Sequence, residues 1–311
     1  MKSLSAMLVF AVAVLGNSGC QRNEPPPSAR PVIVTTILPV HCLAATVAGD
    51  HAEVISLMAG TADAHDFQLT PRERRLLDRA NLVVANGLGL EPWLDRVVAG
   101  PKKDSSVVAL TSGLEAELIH SSHPETDSGH AHASHRHDHS SEGINPHVWL
   151  DPHLYRRMVT NFLAAIQAVD PANANAYASN ASVYLDLLER LDQDLQSGLA
   201  PLTNSPIVTY HDAFPYLARR YGLRVVGVVE ETPDVSPTPK HLSELRSIIE
   251  RERVKTLFTE PQHPDKLARR LAEDLKLRVL PLDTLETGEF TPSAYEDGMR
   301  KNLQLLREAL K

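Results

Sequence analysis

Four residues of this sequence have the types and placement to hold a metal ion: His65, His147, His211 and Asp283. His65 lies in Ala-His-Asp-Phe-Gln-Leu-Thr-Pro, and His147 in Asn-Pro-His-Val-Trp-Leu-Asp-Pro. His211 follows the apolar run Ile207–Tyr210, and Asp283 follows Arg278–Leu282. Three imidazoles and one carboxylate make a nitrogen-rich shell of four. That set suits Zn²⁺, which takes His nitrogen and Asp oxygen tetrahedrally. Mn²⁺ draws more naturally on carboxylates, so it is the weaker expectation. Any single histidine at such a spacing carries little weight, and the inference rests on the four together.

The elements that must position these residues alternate along the chain. Apolar runs at 32–36, 53–57, 82–85 and 107–110 read as strands. Helical patterns fall between them at 39–48, 71–79 and 92–98, with Thr70 as N-cap and Pro71 at the first helical position. A second series follows, with strands at 207–210, 224–229, 254–259 and 278–282 and helices at 214–221, 239–253, 265–276 and 292–310. Gly222 is a C-cap candidate for the first of these helices. Strand and helix alternating with short connections imply parallel sheets covered by helices. Between the two series, a helix at 151–168 is followed by Tyr177, Ala181, Tyr184, Leu188, Leu191 and Leu195 at three- and four-residue intervals. They form one apolar face of a helix over 171–199, on the order of 40 Å long.

The expected fold is therefore α/β, with two lobes joined by a long rigid helix and the metal site in the cleft. In open α/β sheets ligands sit beyond the carboxyl ends of the strands, where three of the four residues are placed. The boundaries are a signal peptide at 1–19, a spacer at 20–31, a first lobe at 32–170, the linking helix at 171–200 and a second lobe at 201–311.

Residues 119–141 break the alternation. They carry seven of the fifteen histidines (His120, His123, His130, His132, His135, His137 and His139) among Ser, Gly, Asp and Glu. Without apolar periodicity the stretch reads as a mobile loop and an auxiliary metal-holding segment. Glu260 ends a strand aimed at the same cleft. It is read either as a group orienting an imidazole N–H, as an alternative ligand, or as a solvated loop carboxylate. Trp149 and Phe214 are expected to pack beside the site. His41, His51, His153, His241 and His263 are read as surface residues. Glu230, Glu231 and Asp234 are read as a rim that docks a partner or as a solvated face.

The remaining features concern location. Lys2 and the apolar run Leu4–Leu15 lead to Cys20 and read as an export signal, too short to span a bilayer comfortably. Cys20 stands where a bacterial lipoprotein carries its lipid, although Asn17 occupies a position usually held by Leu. The Pro-rich stretch 21–31 then acts as a spacer from the membrane. With Cys20 lipidated or removed, Cys42 has no intrachain partner, so no disulfide is expected. The formal net charge of −8 argues against a nucleic-acid partner.

With Asn-Pro-His-Val-Trp-Leu-Asp-Pro and His-Asp-Ala-Phe-Pro-Tyr-Leu-Ala-Arg-Arg-Tyr-Gly (211–222) in view, the sequence after Pro31 resembles the solute-binding lipoproteins of zinc and manganese ABC importers. The resemblance implies that His65, His147, His211 and Asp283 are the metal ligands. His rather than Glu at 211, with the histidine-rich loop, looks like the zinc-uptake branch. Some members have Glu before the first histidine; here it is Ala64, which leaves Asp283 or water to complete the shell. The implied partners are an ABC permease with its cytoplasmic ATPase, Zn²⁺, and the membrane through an N-terminal lipid, for a monomeric non-enzyme. A zinc hydrolase and a surface adhesin stay open as other readings. The hydrolase needs an open coordination position and a base, for which Glu260 is the candidate. No His-Glu-x-x-His or Gly-x-Ser-x-Gly motif is present.

Overall fold

The computed structural model describes residues 30–58, 64, 67–94, 106–120, 143–230, 235–261 and 266–311. His65, Cys20, Glu231, Asp234, His263 and the histidines from His123 to His139 lie outside the described residues. So do the signal, nearly all of the spacer and most of the 92–98 helix.

The first half builds a parallel sheet of β1 (Val32–Thr35), β2 (Glu53–Ser56), β3 (Leu82–Ala85) and β4 (Ser106–Ala109), in the order β2-β1-β3-β4. Val32 pairs with Glu53, Ile33 with Leu82 and Leu82 with Ser106. β1 and β3 are apolar almost throughout because they are the central strands, covered on both faces. The crossovers are α1 (Leu38–Ala48) and α2 (Pro71–Arg79). α2 begins at Thr70, which forms a capping box with Glu73 ahead of Pro71, so two end N–H groups are satisfied by side chains.

The second half repeats the plan. β5 (Pro206–His211), β6 (Arg224–Glu230), β7 (Thr256–Thr259) and β8 (Arg278–Pro281) form a parallel sheet in the order β6-β5-β7-β8. In both sheets the chain moves to one side of its first strand and then crosses to the other. That reversal leaves a crevice at the carboxyl ends of β1 and β3 in one sheet and of β5 and β7 in the other.

Between the sheets run α3 (Pro152–Val169) and α4 (Ala174–Leu199). The expected apolar face of α4 is buried from Tyr177 to Leu199, and the helix packs against α1, α3 and the C-terminal helix α8 (Ala294–Ala309). Its expected first residues, Pro171–Asn173, instead form a separate 3₁₀ turn. The second sheet is flanked by α5 (Pro215–Tyr221), α6 (Pro239–Glu252) and α7 (Lys266–Leu275). Gly222 ends α5 in the left-handed conformation at φ 73°, as its C-cap role requires. Arg220 on α5 pairs with Asp192 of α4, and Tyr221 donates to the same carboxylate at 2.9 Å. The helix after His211 is thereby fixed to the long helix. No described helix is long and apolar enough to cross a membrane.

His41, read from sequence as a surface residue, is half-buried on α1. Its Nδ1 lies 3.0 Å from Thr35 Oγ1, and Phe290 meets its ring edge-on at 5.1 Å. Burial pushes the imidazole down to about 4. The unfolded chain therefore takes up this proton first as pH falls. The stability that neutral His41 contributes is complete above about pH 6.5 and is lost as pH falls toward 4. Discounted for the ring's remaining exposure, the loss is on the order of 2 kcal/mol. Urea denaturation at pH 7.5 and pH 4.5 is expected to show a smaller pH-dependent loss in His41→Asn than in the wild type. An identical loss in both would exclude His41 as a contributor.

Candidate metal centre

β5 ends on His211, whose main chain is in register with Glu230 of β6. The strand thus includes His211 and delivers its ring to the crevice. Glu260 follows β7, the neighbouring central strand. Glu260 is 3 % exposed, and its Oε1 lies 2.5 Å from His211 Nδ1. It is neither a solvated loop carboxylate nor a member of the converging group described below, because it stands behind the ring. A carboxylate oxygen accepts, so Nδ1 carries the hydrogen and Nε2 keeps its lone pair.

His147 comes from the segment that leads into a 3₁₀ turn, Val148–Leu150, and then α3. Asn86, at the end of β3, holds this segment over the first sheet, with Nδ2 donating to Pro146 O at 3.0 Å. Asn86 is itself set by Glu91, a buried carboxylate that accepts from Asn86 N at 2.8 Å, Gly87 N at 3.1 Å and Thr36 Oγ1 at 2.8 Å. The far nitrogen of the ring, His147 Nδ1, lies 2.9 Å from Asn145 Oδ1. His147 therefore also presents a lone pair at Nε2.

The two lone pairs face one another. His211 Nε2 is 3.2 Å from His147 Nε2, and Glu286 Oε1 is 3.3 Å from His147 Nε2. Two atoms bonded tetrahedrally to one Zn²⁺ at about 2.0–2.1 Å stand about 3.3–3.4 Å apart. Among the described residues, His147, His211 and Glu286 are the group of metal-ligating side chains that converges, and all three are buried. Two electron pairs and a carboxylate at this spacing, away from bulk water, suit a divalent cation.

A model of the family described as zinc-uptake complex component A, periplasmic, matches residues 33–309. The chain belongs to that family. Zinc-binding protein AdcA of Streptococcus pyogenes serotype M3 is 29% identical over 283 residues, covering 88% of this chain and 55% of that protein. The chain thus spans about half the length of the first curated relatives it matches. High-affinity zinc uptake system protein ZnuA of Bacillus subtilis is 28% identical over 319 residues, covering 99% of this chain and 98% of that protein. A crystal structure of ZnuA superposes with a TM-score of 0.76 at 25% identity, covering 90% of this chain and 99% of that one. Family membership and architecture agree with the expected fold class of two parallel-sheet lobes.

The structure brings together His147 and His211, as the spacing suggests, but it puts Glu286 rather than Asp283 with them. The reason is local. Asp283 Oδ1 accepts from Leu285 N at 2.8 Å, and Asn302 clamps the Asp283 main chain on both sides, at 3.0 and 2.7 Å. The carboxylate caps a turn whose next residue but one, Leu285, has φ 64°. This turn swings Glu286 inward. Burial holds the Asp283 carboxyl above its usual range, and the charges of Glu260 and Glu286 act in the same direction. Trp149 fixes the Glu286 loop from the other side, donating from Nε1 to Thr284 O at 2.7 Å. Its ring lies 5.1 Å from that of His147, which is the packing role expected of it. Phe214 is fully buried in the core.

Sequence reasoning missed Glu286, Asn145 and Glu91. The available signal for Glu286 was a second carboxylate within three residues of Asp283 in the loop after β8. For Asn145 it was an amide two residues from a candidate ligand. Of the histidine-rich stretch, His120 is described; it forms an antiparallel bridge with Ile144, so the two roots of the stretch are adjacent. His241 is partly buried and bonds through Nε2 to Val228 O at 2.9 Å, rather than standing free on the surface.

Proposed function

We propose that this chain is the extracytoplasmic zinc-binding component of an ABC importer, capturing Zn²⁺ between its lobes and delivering it to a permease driven by a cytoplasmic ATPase. The observation that carries this reading is the convergence of His147, His211 and Glu286 at the spacing of a tetrahedral zinc shell. His65 supplies the remaining imidazole, making a shell of three nitrogens and one carboxylate with Zn²⁺ preferred to Mn²⁺. Asp283 supports the shell through the turn that carries Glu286. Family membership and the names of the relatives agree with zinc as the cargo.

Binding is favoured over hydrolysis by the placement of Glu260. Its Oε1 is engaged with His211 Nδ1, whereas a hydrolase needs a carboxylate poised on metal-bound water. Cys20 is assigned as the lipidated N-terminus of the exported monomer, with residues 21–31 as spacer. A mature mass beginning at Cys20 with acyl chains attached checks this assignment.

The histidine-rich stretch 119–141 is assigned an auxiliary role. Fixing a polar chain around an ion costs about 1–2 kcal/mol per ordered residue. Sites there are therefore weaker and faster in exchange than a preformed shell. Calorimetric zinc titration of the full chain is expected to show one tight equivalent followed by weaker ones. Deleting 121–142 is expected to leave the tight equivalent and remove the weak ones. Loss of the tight step with the stretch would place the functional metal there and overturn this reading.

A further inference from the structure

Asn145 is 1 % exposed, and its side chain joins the two lobes at the metal centre. Its Oδ1 accepts from His147 N at 3.1 Å and lies 2.9 Å from His147 Nδ1. Its Nδ2 donates to Asp212 O at 2.5 Å, on the residue after His211. The orientation of this amide is determined by its neighbours. A main-chain N–H can only donate and a carbonyl can only accept, so oxygen must face His147 and nitrogen must face Asp212. One side chain thus does two things: it holds the hydrogen of a neutral His147 on Nδ1, and it ties the His147 segment to the strand end that presents His211.

The main chain of Asn145 is held as firmly. Its N–H donates to Ile119 O at 2.8 Å. Its carbonyl accepts from Tyr216 Oη at 2.8 Å, and that hydroxyl accepts from Ile119 N at 3.0 Å. Tyr216 belongs to α5, so this knot fixes the segment before His147 to the second lobe.

We propose that Asn145 is a positioning residue for cargo binding, setting the His147 tautomer that leaves Nε2 available and latching the two lobes through Asp212. Wrong-tautomer rings must move their proton before they can bind the ion through Nε2. A broken latch lets the two imidazoles separate and speeds release. This inference rests on the zinc-binding reading above, but its first consequence is visible without metal.

Two substitutions separate the two roles. Asn145→Asp keeps an acceptor for His147 but cannot donate to Asp212 O. Asn145→Ala removes both contacts. Long-range ¹H–¹⁵N spectra of the metal-free full chain, at a pH where the ring is neutral, report the tautomer. The wild type and Asn145→Asp are expected to show hydrogen on Nδ1 of His147, and Asn145→Ala a mixture or Nε2–H. Zinc affinity is expected to fall about 10–100-fold in Asn145→Ala, the range usual for partners that orient a ligand. Zinc release from Asn145→Asp, followed by stopped flow with a chelator, is expected to be at least about tenfold faster than from the wild type. An unchanged Nδ1–H signature in Asn145→Ala overturns the tautomer role, and an unchanged release rate in Asn145→Asp overturns the latch. If the wild type holds no zinc but its Nδ1–H signature is lost in Asn145→Ala, the functional reading fails while the assignment of the tautomer to Asn145 stands.

Discussion

Glu286→Gln is expected to weaken tight zinc binding by more than about 100-fold, whereas Asp283→Asn leaves it within about tenfold. The two residues differ by three positions and have different work. Glu286 Oε1 stands 3.3 Å from His147 Nε2 and carries the negative charge of the converging trio. Glutamine keeps the shape but removes that charge, and an amide oxygen is a poor ligand for Zn²⁺ beside two neutral imidazoles. Asp283 meets Leu285 N through one oxygen, and asparagine retains an oxygen for that contact. Competition titration against a chelator of known affinity measures both variants. The opposite ranking, with Asp283→Asn the damaging change, would return the fourth position to Asp283.

Trp149→Ala is expected to lower folding stability by about 3–5 kcal/mol and to weaken zinc binding as well. Trp149 is fully buried and touches both halves of the centre. Its indole N–H holds Thr284 O, two residues before Glu286, and its carbonyl accepts from Tyr295 Oη at 2.7 Å. Truncation leaves a large cavity and the Thr284 carbonyl without the indole N–H, while the main-chain bond to Tyr295 is kept. Trp149→Phe retains most of the ring volume and isolates the indole hydrogen bond, for an expected loss of about 1–3 kcal/mol. Urea denaturation gives the stabilities, and the same titration gives the affinities. A stable Trp149→Ala chain with native zinc affinity would show that the Glu286 loop is held by other contacts.

The α/β alternation was legible because it depends on local signals. Thr70-Pro71 marked the start of α2, Gly222 the end of α5, and the three- and four-residue spacing from Tyr177 to Leu195 the buried face of α4. His211 was legible because it stands at the carboxyl end of a strand, where parallel sheets place ligands, and His147 because of the Asn-Pro-His-Val-Trp-Leu-Asp-Pro run around it. Glu286 was not, because its direction depends on Leu285 adopting a left-handed conformation. Nothing in a non-glycine residue announces that conformation, and a carboxylate just after β8 reads as a strand-end ligand, whereas in the structure Asp283 caps the turn. Asn145 was hidden for a related reason. Its value comes from the Asp212 carbonyl, 67 positions away in sequence, which only the packing of the two lobes brings near. Glu260 fell between these cases. Its strand-end position suggested the cleft, while its engagement with His211 Nδ1 required the β5–β7 pairing to be known.

The most direct test of zinc capture between the lobes is a crystal structure of the zinc-loaded full chain, with anomalous scattering recorded on both sides of the zinc edge. The expected result is one fully occupied ion bonded to Nε2 of His147 and of His211 at about 2.0–2.1 Å and to a Glu286 oxygen at about 2.0–2.2 Å, with His65 as the fourth ligand. A fully occupied ion held instead by histidines of the 119–141 stretch, with no zinc peak between His147 and His211, would contradict it.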